Sequence, residues 1–300
     1  MAIILTLVAD PDRLALTDAI VAGVTDAVSG AGGLVAAPHW LGPDQACDLA
    51  VTGLEAPRVQ GLAEAALAGH PVDLLAQPAA ASRRKRVLLA DMDSTMVPLE
   101  TLDEMAADAG LADRVVPITR RAMNGEIDFA EALAERLALF AGQPERLLTQ
   151  VLARTPLSPG AAVAVRTMRA HGTFCQLISG GFTVFTQHVA DVAGFEAHEA
   201  NELEIEAGRL TGRLIGPVVT KDRKLALLQA MLQRFSVGAD TVVAVGDGAN
   251  DLPMLTAAGL GVAYRAKPTV RAACAARIDH TDLRTLLFYQ GYTVAEFTGG

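Results

Sequence analysis

The clearest pattern in the chain is three short apolar runs, each followed at once by small or acidic residues. They cover residues 87–90, 174–178 and 241–245, and the sequences DMDST, SGG and GDGAND follow them at 91–95, 179–181 and 246–251. Each run has the length of a strand and no polar alternation, which is typical of parallel strands buried on both faces. We therefore predict an α/β fold whose polar clusters lie at the carboxyl edge of a parallel sheet, where such sheets bind ligands.

The pair Asp91 and Asp93 is the most informative of these clusters. Residues i and i+2 of a strand point to one side, so both carboxylates are expected to face the same space beyond the sheet. Two acids this close repel each other unless a cation or a shared proton offsets their charge. The alternative is an Asx turn that closes the strand and has no chemical role.

The segment between the first two runs is predicted to form a small helical lid. Apolar residues recur at helical spacing over residues 99–110, 115–124, 128–141 and 144–153. Lids over strand ends exclude water and carry specificity. Farther along, alternation over residues 203–215 predicts an antiparallel hairpin beside the sheet.

Composition narrows the class of protein. The 300 residues predict about two domains, and 51% hydrophobic residues are enough for buried cores. A net charge of -9 argues against nucleic-acid binding. The basic run 83–86 follows an alanine-rich stretch at 77–82 and is interpreted as the end of a linker.

Cysteine, histidine and signal patterns exclude several further classes. Cys47, Cys175 and Cys274 are too scattered for a disulfide framework or a zinc site, and the six histidines show no metal spacing. The apolar N-terminus lacks the basic start and the length of a secretion signal, and no run reaches membrane-spanning length. We expect a cytoplasmic protein that binds neither membrane nor nucleic acid.

The first 80 residues are predicted to form a separate α+β unit. Strands are expected at 3–8, 34–37, 49–52 and 72–75, and helices at 11–29 and 56–68. This order, βαββαβ, is that of a ferredoxin-like module. The boundary near residue 82 predicts that the rest of the chain keeps its chemistry without this unit.

The order DxDST, SGG, lysine, GDGAND resembles the haloacid dehalogenase-like (HAD) phosphatases, and within them the phosphoserine phosphatases, over residues 86–290. The resemblance implies a Rossmann-like core at 81–300, with a helical cap inserted at about 98–156. It also implies that the unit at 1–80 is a degenerate ACT-type domain. Such modules bind amino acids, serine among them, or pair into homodimers. The alternative is a merely structural extension, since fold analogy does not assign function.

The resemblance assigns the chemistry to the two aspartates. Asp91 is expected to be the nucleophile that forms an aspartyl-phosphate, and Asp93 the general acid that later acts as general base. Mg²⁺ is the expected cofactor, held by the Asp91 side chain, the Asp93 main-chain carbonyl and Asp247. An EF-hand is excluded because its 12-residue ligand spacing is absent.

The other core motifs are expected to hold the phosphoryl group and to support the GDGAND loop at 246–251. Ser179 and the Gly180 amide would donate to phosphoryl oxygens, although SGG alone also fits an ordinary loop. Lys221 and Lys224 both suit the basic motif by chemistry, and family spacing favours Lys224. Asn250 is expected to be a polar contact to the phosphate. Asp251 is expected to be a supporting acid that orients its neighbours.

The resemblance also implies substrate-binding residues in the lid. Glu100 would receive the substrate's ammonium group, and Arg136 its carboxylate, for which a guanidinium is suited. Met123 and Phe129 would be apolar residues near the substrate. In the alternative interpretation, Glu100 is an acid at a helix N-terminus and Arg136 lies on a solvated helix face. Met123 and Phe129 are then ordinary core residues.

The expected activity is Mg²⁺-dependent hydrolysis of O-phospho-L-serine, the last step of serine biosynthesis. A second hypothesis keeps the chemistry and changes the substrate to another small phosphorylated metabolite, such as phosphohomoserine or phosphothreonine. A third makes the chain an amino-acid sensor with a vestigial phosphatase core. It has the least support, because no nucleophile or metal-binding acid is missing.

Overall fold

A computed structural model describes residues 2–79, 83–123 and 126–299, with Met123 described by its main chain alone. The chain begins with a small antiparallel sheet covered by two helices. Its elements are β1 (Ile3–Ala9), α1 (Asp18–Gly30), β2 (Leu34–Val35), β3 (His39–Gly42), β4 (Ala46–Thr52), α2 (Ala56–Ala66) and β5 (Val72–Pro78).

The order of this sheet is β2-β4-β1-β5, with β3 also paired to β4. Strand β1 lies between β4 and β5 and is antiparallel to both, the ferredoxin-like arrangement predicted from the element order. The predicted start of the first helix was wrong. Helix α1 begins at Asp18 rather than at residue 11, because Thr17 caps it by accepting from the Ile20 N–H (3.4 Å). Strand β3 was not predicted.

The rest of the chain is built on a seven-stranded sheet with a cap of four helices. The cap consists of α3 (Thr101–Asp108), α4 (Ala112–Met123), α5 (Phe129–Ala138) and α6 (Arg146–Leu152). The sheet consists of β6 (Val87–Ala90), β7 (Phe174–Phe182), β8 (Ala197–Glu206), β9 (Arg209–Ile215), β10 (Val242–Gly246), β11 (Leu260–Tyr264) and β12 (Ala276–Ile278). The helices around the sheet are α7 (Ala161–Ala170), α8 (Thr183–Ala193), α9 (Lys221–Phe235), α10 (Leu252–Ala257), α11 (Pro268–Ala273) and α12 (Thr285–Tyr289).

The sheet order is β12-β11-β10-β6-β7-β8-β9, and every pair except β8–β9 is parallel. The chain runs outward from β6 to β9 and then returns through α9 to β10 on the other side of β6. The switch point of this α/β sheet therefore lies between β6 and β10, where a ligand crevice is expected. This sheet confirms the predicted α/β fold, and β8–β9 is the predicted hairpin.

Alternation along the central strands places core on both faces of the sheet. Leu88 and Val243 belong to one hydrophobic cluster, and Leu89 and Val242 to the other. All residues of β6 and β10 are buried. Burial on both faces explains why these strands are continuous apolar runs in the sequence.

The two parts of the chain share one of these clusters. Val8 and Leu75 of the small sheet pack in the same core as Leu286 and Phe288 of α12. Asp73 adds polar links, because its carboxylate accepts from the main-chain N–H groups of residues 279–281. The division at residues 80 and 81 remains a prediction. Among the described residues, no helix is both long and apolar enough to cross a bilayer.

Candidate active site

Asp91 lies directly after β6, at the switch point of the sheet. Its N–H donates to the Val245 carbonyl of β10 (3.0 Å), so both central strands fix its main chain. Its Oδ1 lies 2.6 Å from Lys224 Nζ, and the same ammonium lies 2.7 Å from Asp251 Oδ1. All three side chains are buried. The structure thus brings Lys224 to Asp91, whereas Lys221 is exposed at the start of α9.

Burial and charge together set the protonation of this cluster. Burial favours the neutral amine of Lys224, but Asp91 and Asp251 outweigh it and raise the pKa of the lysine. Burial also raises the pKa of Asp91 well above its usual range, with the Asp251 charge adding to it and Lys224 opposing. Burial, followed by the Asp251 charge, raises the pKa of Asp247 to about 6.

Three carboxylates at this point suit a hard divalent cation. One oxygen from each of Asp91, Asp247 and Asp251 lies within 4.8 Å of the others. When ionised they carry three negative charges against the one positive charge of Lys224. Buried like charges need a compensating cation or a proton, and Mg²⁺ prefers oxygen ligands of this kind. The oxygens of Asp251 already accept from Lys224 and from two main-chain N–H groups, so Asp91 and Asp247 are the carboxylates that fit the expected metal.

Asp93 is held apart from this cluster. Because β6 ends at Ala90 and Ser94 has a positive φ of 55°, strand alternation does not position Asp93 as predicted. Its Oδ1 accepts from the Thr101 N–H (2.8 Å), and its Oδ2 accepts from Ser179 Oγ (3.0 Å). Burial and the charge of Glu100 raise its pKa to about 6. The two aspartates are neighbours with separate partners.

The SGG sequence forms the end of β7, where side chains approach both glycines closely. Ser179 Oγ accepts from the Gly181 N–H (2.8 Å) while it donates to Asp93. A Cβ on Gly181 would lie 2.8 Å from Asp93 Oδ2, and one on Gly180 would lie 3.1 Å from Phe129 Cζ. Both distances are too short for a side chain without movement of the neighbours. Phe129 of the cap therefore packs on the Gly180 main chain.

The GDGAND loop is folded around Asp251. Its Oδ2 accepts from the N–H groups of Asp247 (3.2 Å) and Gly248 (3.0 Å), and Asn250 Nδ2 lies 3.4 Å from its Oδ1. A Cβ on Gly246 would lie 2.5 Å from Asp251 Cγ. Asp251 thus fixes the loop that carries Asp247 and also contacts Lys224.

The cap carries two charged residues of the candidate site, Glu100, whose charge acts on Asp93, and Arg136, whose neighbouring charges are Asp103 and Glu100. Glu100 is exposed at the N-cap of α3 and accepts from Ser94 Oγ (2.7 Å). Arg136 is half-buried on α5, and its Nε donates to the Ala132 carbonyl (3.2 Å). Burial lowers the pKa of Arg136, while the charges of Asp103 and Glu100 oppose this change. Met123 ends α4, and its side chain lies outside the described residues.

Comparison with known proteins identifies the group to which this site belongs. Residues 88–256 match the sequence profile of the haloacid dehalogenase-like hydrolases. The chain belongs to this family.

Two curated relatives and one crystal structure support the HAD assignment. The phosphoserine phosphatase of Streptomyces coelicolor is 37% identical over 98% of this chain and 71% of that protein. Phosphoserine phosphatase SerB2 of Mycobacterium tuberculosis is 42% identical over 71% of this chain, which spans about half (52%) of that relative's length. The crystal structure of a probable phosphoserine phosphatase from Vibrio cholerae is similar, with a TM-score of 0.81 and 30% identity over 98% of this chain and 88% of that one.

The structure adds three residues to this HAD site that the motifs did not identify. Thr101 donates to Asp93. Asn201 is buried and joins the Gly180 carbonyl (2.8 Å) to the Val219 N–H (2.8 Å). Lys267 lies 3.8 Å from Asp247. Only Lys267 had a signal in the sequence, since it closely follows the apolar run that became β11, at a carboxyl strand end.

Proposed function

We propose that this chain is a magnesium-dependent phosphatase that hydrolyses O-phospho-L-serine to L-serine and phosphate through an aspartyl-phosphate on Asp91. The observation that carries this proposal is the separation of the two aspartates: Asp91 Oδ1 contacts Lys224 (2.6 Å), while Asp93 is held by Thr101 and Ser179. These separate partners support attack by one carboxylate and proton transfer by the other.

In the first step an Asp91 oxygen attacks phosphorus, and the bond from phosphorus to the serine oxygen breaks. Asp93 gives its proton to the departing serine oxygen. It later takes a proton from the water that attacks phosphorus in the aspartyl-phosphate, and the bond from phosphorus to the Asp91 oxygen breaks to release phosphate and the free carboxylate. A pKa of about 6 suits both roles, because a group that titrates near the working pH can exchange protons in both directions.

Charge at the phosphoryl group is balanced by donors and cations. The positive charge of Lys224, the Ser179 hydroxyl and the Gly180 amide are proposed to stabilise the equatorial oxygens, with Asn250 as a further polar contact. Asp91, Asp247 and the Asp93 main-chain carbonyl would hold Mg²⁺, which offsets the repulsion between carboxylate and phosphate when bound. Asp251 would keep both Asp247 and Lys224 in place.

The cap supports a phosphorylated amino acid as substrate. Glu100 and Arg136 offer one negative and one positive charge in the cap, which match the ammonium and carboxylate of phosphoserine. Phe129, packed on Gly180, and Met123 would enclose the substrate. A substrate that lacks either charged group would form an ion pair with only one of these side chains. The names of the curated relatives support this substrate, and with it a place at the last step of serine biosynthesis.

The test is turnover of a panel of phosphomonoesters with and without Mg²⁺, in the unmodified protein and in the variant Arg136→Ala. We expect phosphoserine to be preferred over phosphothreonine and phosphohomoserine. Arg136→Ala should lower kcat/KM for phosphoserine by about 2–4 kcal/mol, the scale for loss of a desolvated charge pair. Hydrolysis of p-nitrophenyl phosphate, which has neither group, should change little.

Arg146→Ala is the control, because Arg146 is an exposed arginine of the same cap. It should leave both activities unchanged. Equal losses on both substrates in Arg136→Ala would show that Arg136 supports the cap rather than the substrate carboxylate. If the unmodified protein prefers a different phosphate ester, that ester and not phosphoserine is its substrate.

A further inference from the structure

Lys267 is a cation at the rim of the candidate metal site, and no proposed step uses it. Its main-chain N–H donates to the Asp247 carbonyl (3.0 Å), and its ammonium lies 3.8 Å from Asp247 Oδ2. The main chain is thus fixed beside Asp247. The side chain, in contrast, is 59% exposed.

The two lysines of the site are held very differently. Lys224 is 1% exposed and contacts Asp91 and Asp251 at 2.6 and 2.7 Å. Within 4.0 Å of its ammonium, Lys267 has one carboxylate partner among the described residues, at 3.8 Å, and its four-carbon stem can adopt other rotamers. The Asp247 side chain is buried (8% exposed), but the ammonium is open to solvent and, at 3.8 Å, too far for a hydrogen bond. Lys267 can therefore exchange Asp247 for water without itself leaving a buried position.

The charge of Lys267 acts on the cap as well as on Asp247. Burial and Glu100 raise the pKa of Asp103 in α3, and the charges of Arg136 and Lys267 lower it. Glu100 and Lys267 likewise act on Asp247. Glu100, Asp103 and Asp247 make the space between these charges, which we call the opening, negative. A phosphate dianion that enters the site has to pass these carboxylates, and a mobile cation beside them reduces the repulsion.

We propose that Lys267 exchanges partners during substrate entry. It neutralises Asp247 while the metal site is empty. When a divalent cation binds the Asp247 carboxylate, the Lys267 ammonium is released and attracts the phosphate dianion of the substrate into the opening. This inference rests on the proposed function as a phosphomonoesterase. Lys267 therefore weakens metal binding and strengthens phosphate binding, two effects of opposite sign from one charge.

The experiment compares Lys267→Gln with Lys267→Arg, and uses Lys221→Gln as the control. Lys221→Gln removes the same charge from an exposed lysine, and among the described residues no carboxylate oxygen lies within 4.0 Å of the Lys221 ammonium. Calorimetric titration of the resting protein with Mg²⁺ is the first measurement. We expect Lys267→Gln to bind Mg²⁺ about two- to fivefold more tightly, the size of an exposed ion pair, and Lys267→Arg to bind as the unmodified protein does.

The second measurement is the binding of inorganic phosphate to the Mg²⁺-loaded protein at two salt concentrations. Lys267→Gln should weaken it about two- to fivefold at about 0.01 M salt and hardly at all at about 1 M, where the Debye length is about 3 Å. If Lys267→Gln matches Lys221→Gln in either titration, or if Lys267→Arg behaves as Lys267→Gln does, the exchange is wrong. Neither titration needs turnover, so a failure to hydrolyse phosphoserine would overturn the proposed function and leave this test intact.

Discussion

At the scale of single residues, the site depends on how two neighbouring carboxylates are separated. Asp91 is bound to Lys224, and Asp93 to Thr101 and Ser179. The positive φ of Ser94 allows the chain to turn between them and the cap. Chemically similar groups can therefore have different roles.

We expect Asp91→Asn and Asp93→Asn to differ in kind. Asp91→Asn should abolish the covalent intermediate, because an amide is a poor nucleophile. Asp93→Asn should leave phosphoryl binding largely intact and slow turnover by about 10²–10⁴-fold, the contribution of general acid–base catalysis. Rapid-quench labelling with phosphate-labelled substrate would measure the covalently bound phosphate in each variant. Label attached to the Asp91→Asn protein would refute Asp91 as the nucleophile.

A single methyl group at Gly181 should disturb Asp93. The added Cβ of Gly181→Ala would lie 2.8 Å from Asp93 Oδ2 and 3.1 Å from Ser179 Oγ, so one of them has to move. We expect kcat to fall by about 10²-fold, the effect of a displacement of about 1 Å at a catalytic group.

Gly61→Ala is the matched control, because this helical glycine has open space where a Cβ would be added. It should leave kcat unchanged and raise stability by about 0.5–1 kcal/mol. Comparable kcat values for the two variants would mean that the β7 end adapts to the methyl group.

At the scale of elements, the cap and the sheet are joined through the β8–β9 hairpin. The Gly142 N–H donates to Leu210 (2.8 Å), and the Leu210 N–H donates to Gln143 (2.9 Å). These main-chain bonds attach the segment after α5 to β9. Asn201 of β8 makes a second connection, between the end of β7 and the segment that leads into α9. The hairpin thus links the elements that carry Ser179, Arg136 and Lys224.

Asn201→Ala should destabilise the protein and its site together. It leaves the Gly180 carbonyl and the Val219 N–H without their partner, at a cost of about 1–3 kcal/mol for each buried group. Urea denaturation and kcat would be measured on the same samples. Asn201→Asp should be no milder, because its second carboxylate oxygen has no hydrogen to donate to the Gly180 carbonyl and its charge would be buried without a partner. Equal stability of Asn201→Ala and the unmodified protein would show that water replaces the side chain.

At the scale of the whole molecule, the small sheet and the catalytic part are joined by more than a linker. Arg83 donates to Asp48, to Thr6 and to the carbonyls of Phe288 and Tyr289. The run 83–86 was interpreted as the end of a linker, but its first arginine is a structural contact between the two parts. The shared core adds apolar contacts to these polar ones.

Removal of residues 1–81 should therefore keep the chemistry and lower the stability. The candidate catalytic residues all lie after residue 90, but each large apolar side chain of α12 that returns to water costs about 1.5–3 kcal/mol. Melting temperature by circular dichroism, mass by light scattering, and kcat with and without serine would be compared with the full chain. An unchanged melting temperature would show that the shared core contributes nothing, and a folded but inactive protein would place part of the active site in the first 81 residues.

The patterns that predicted the fold correctly are local ones. Strands β6, β7 and β10 lie where the apolar runs are, because burial on both faces favours a nearly continuous run of apolar residues. The carboxyl ends of parallel strands share one edge, so the polar clusters were expected to meet there, and Asp91, Ser179 and Asp247 do lie at that edge. The cap helices were predicted from apolar residues at helical spacing, which is also a local pattern. The predicted ends differ from the observed ends by up to a few residues.

Contacts between distant segments were decided only by the tertiary structure. The separation of Asp93 from Asp91 depends on a turn and on Thr101 of the cap, and the burial of Lys224 rather than Lys221 depends on the rotation of α9 against the sheet. Asn201 and Arg83 had no signal in the sequence, because a single polar residue shows its partners only when chains far apart are packed together. Periodicity thus determined the strands and their edge, while the hydrogen-bond partners of each buried polar group were set by packing across the whole molecule.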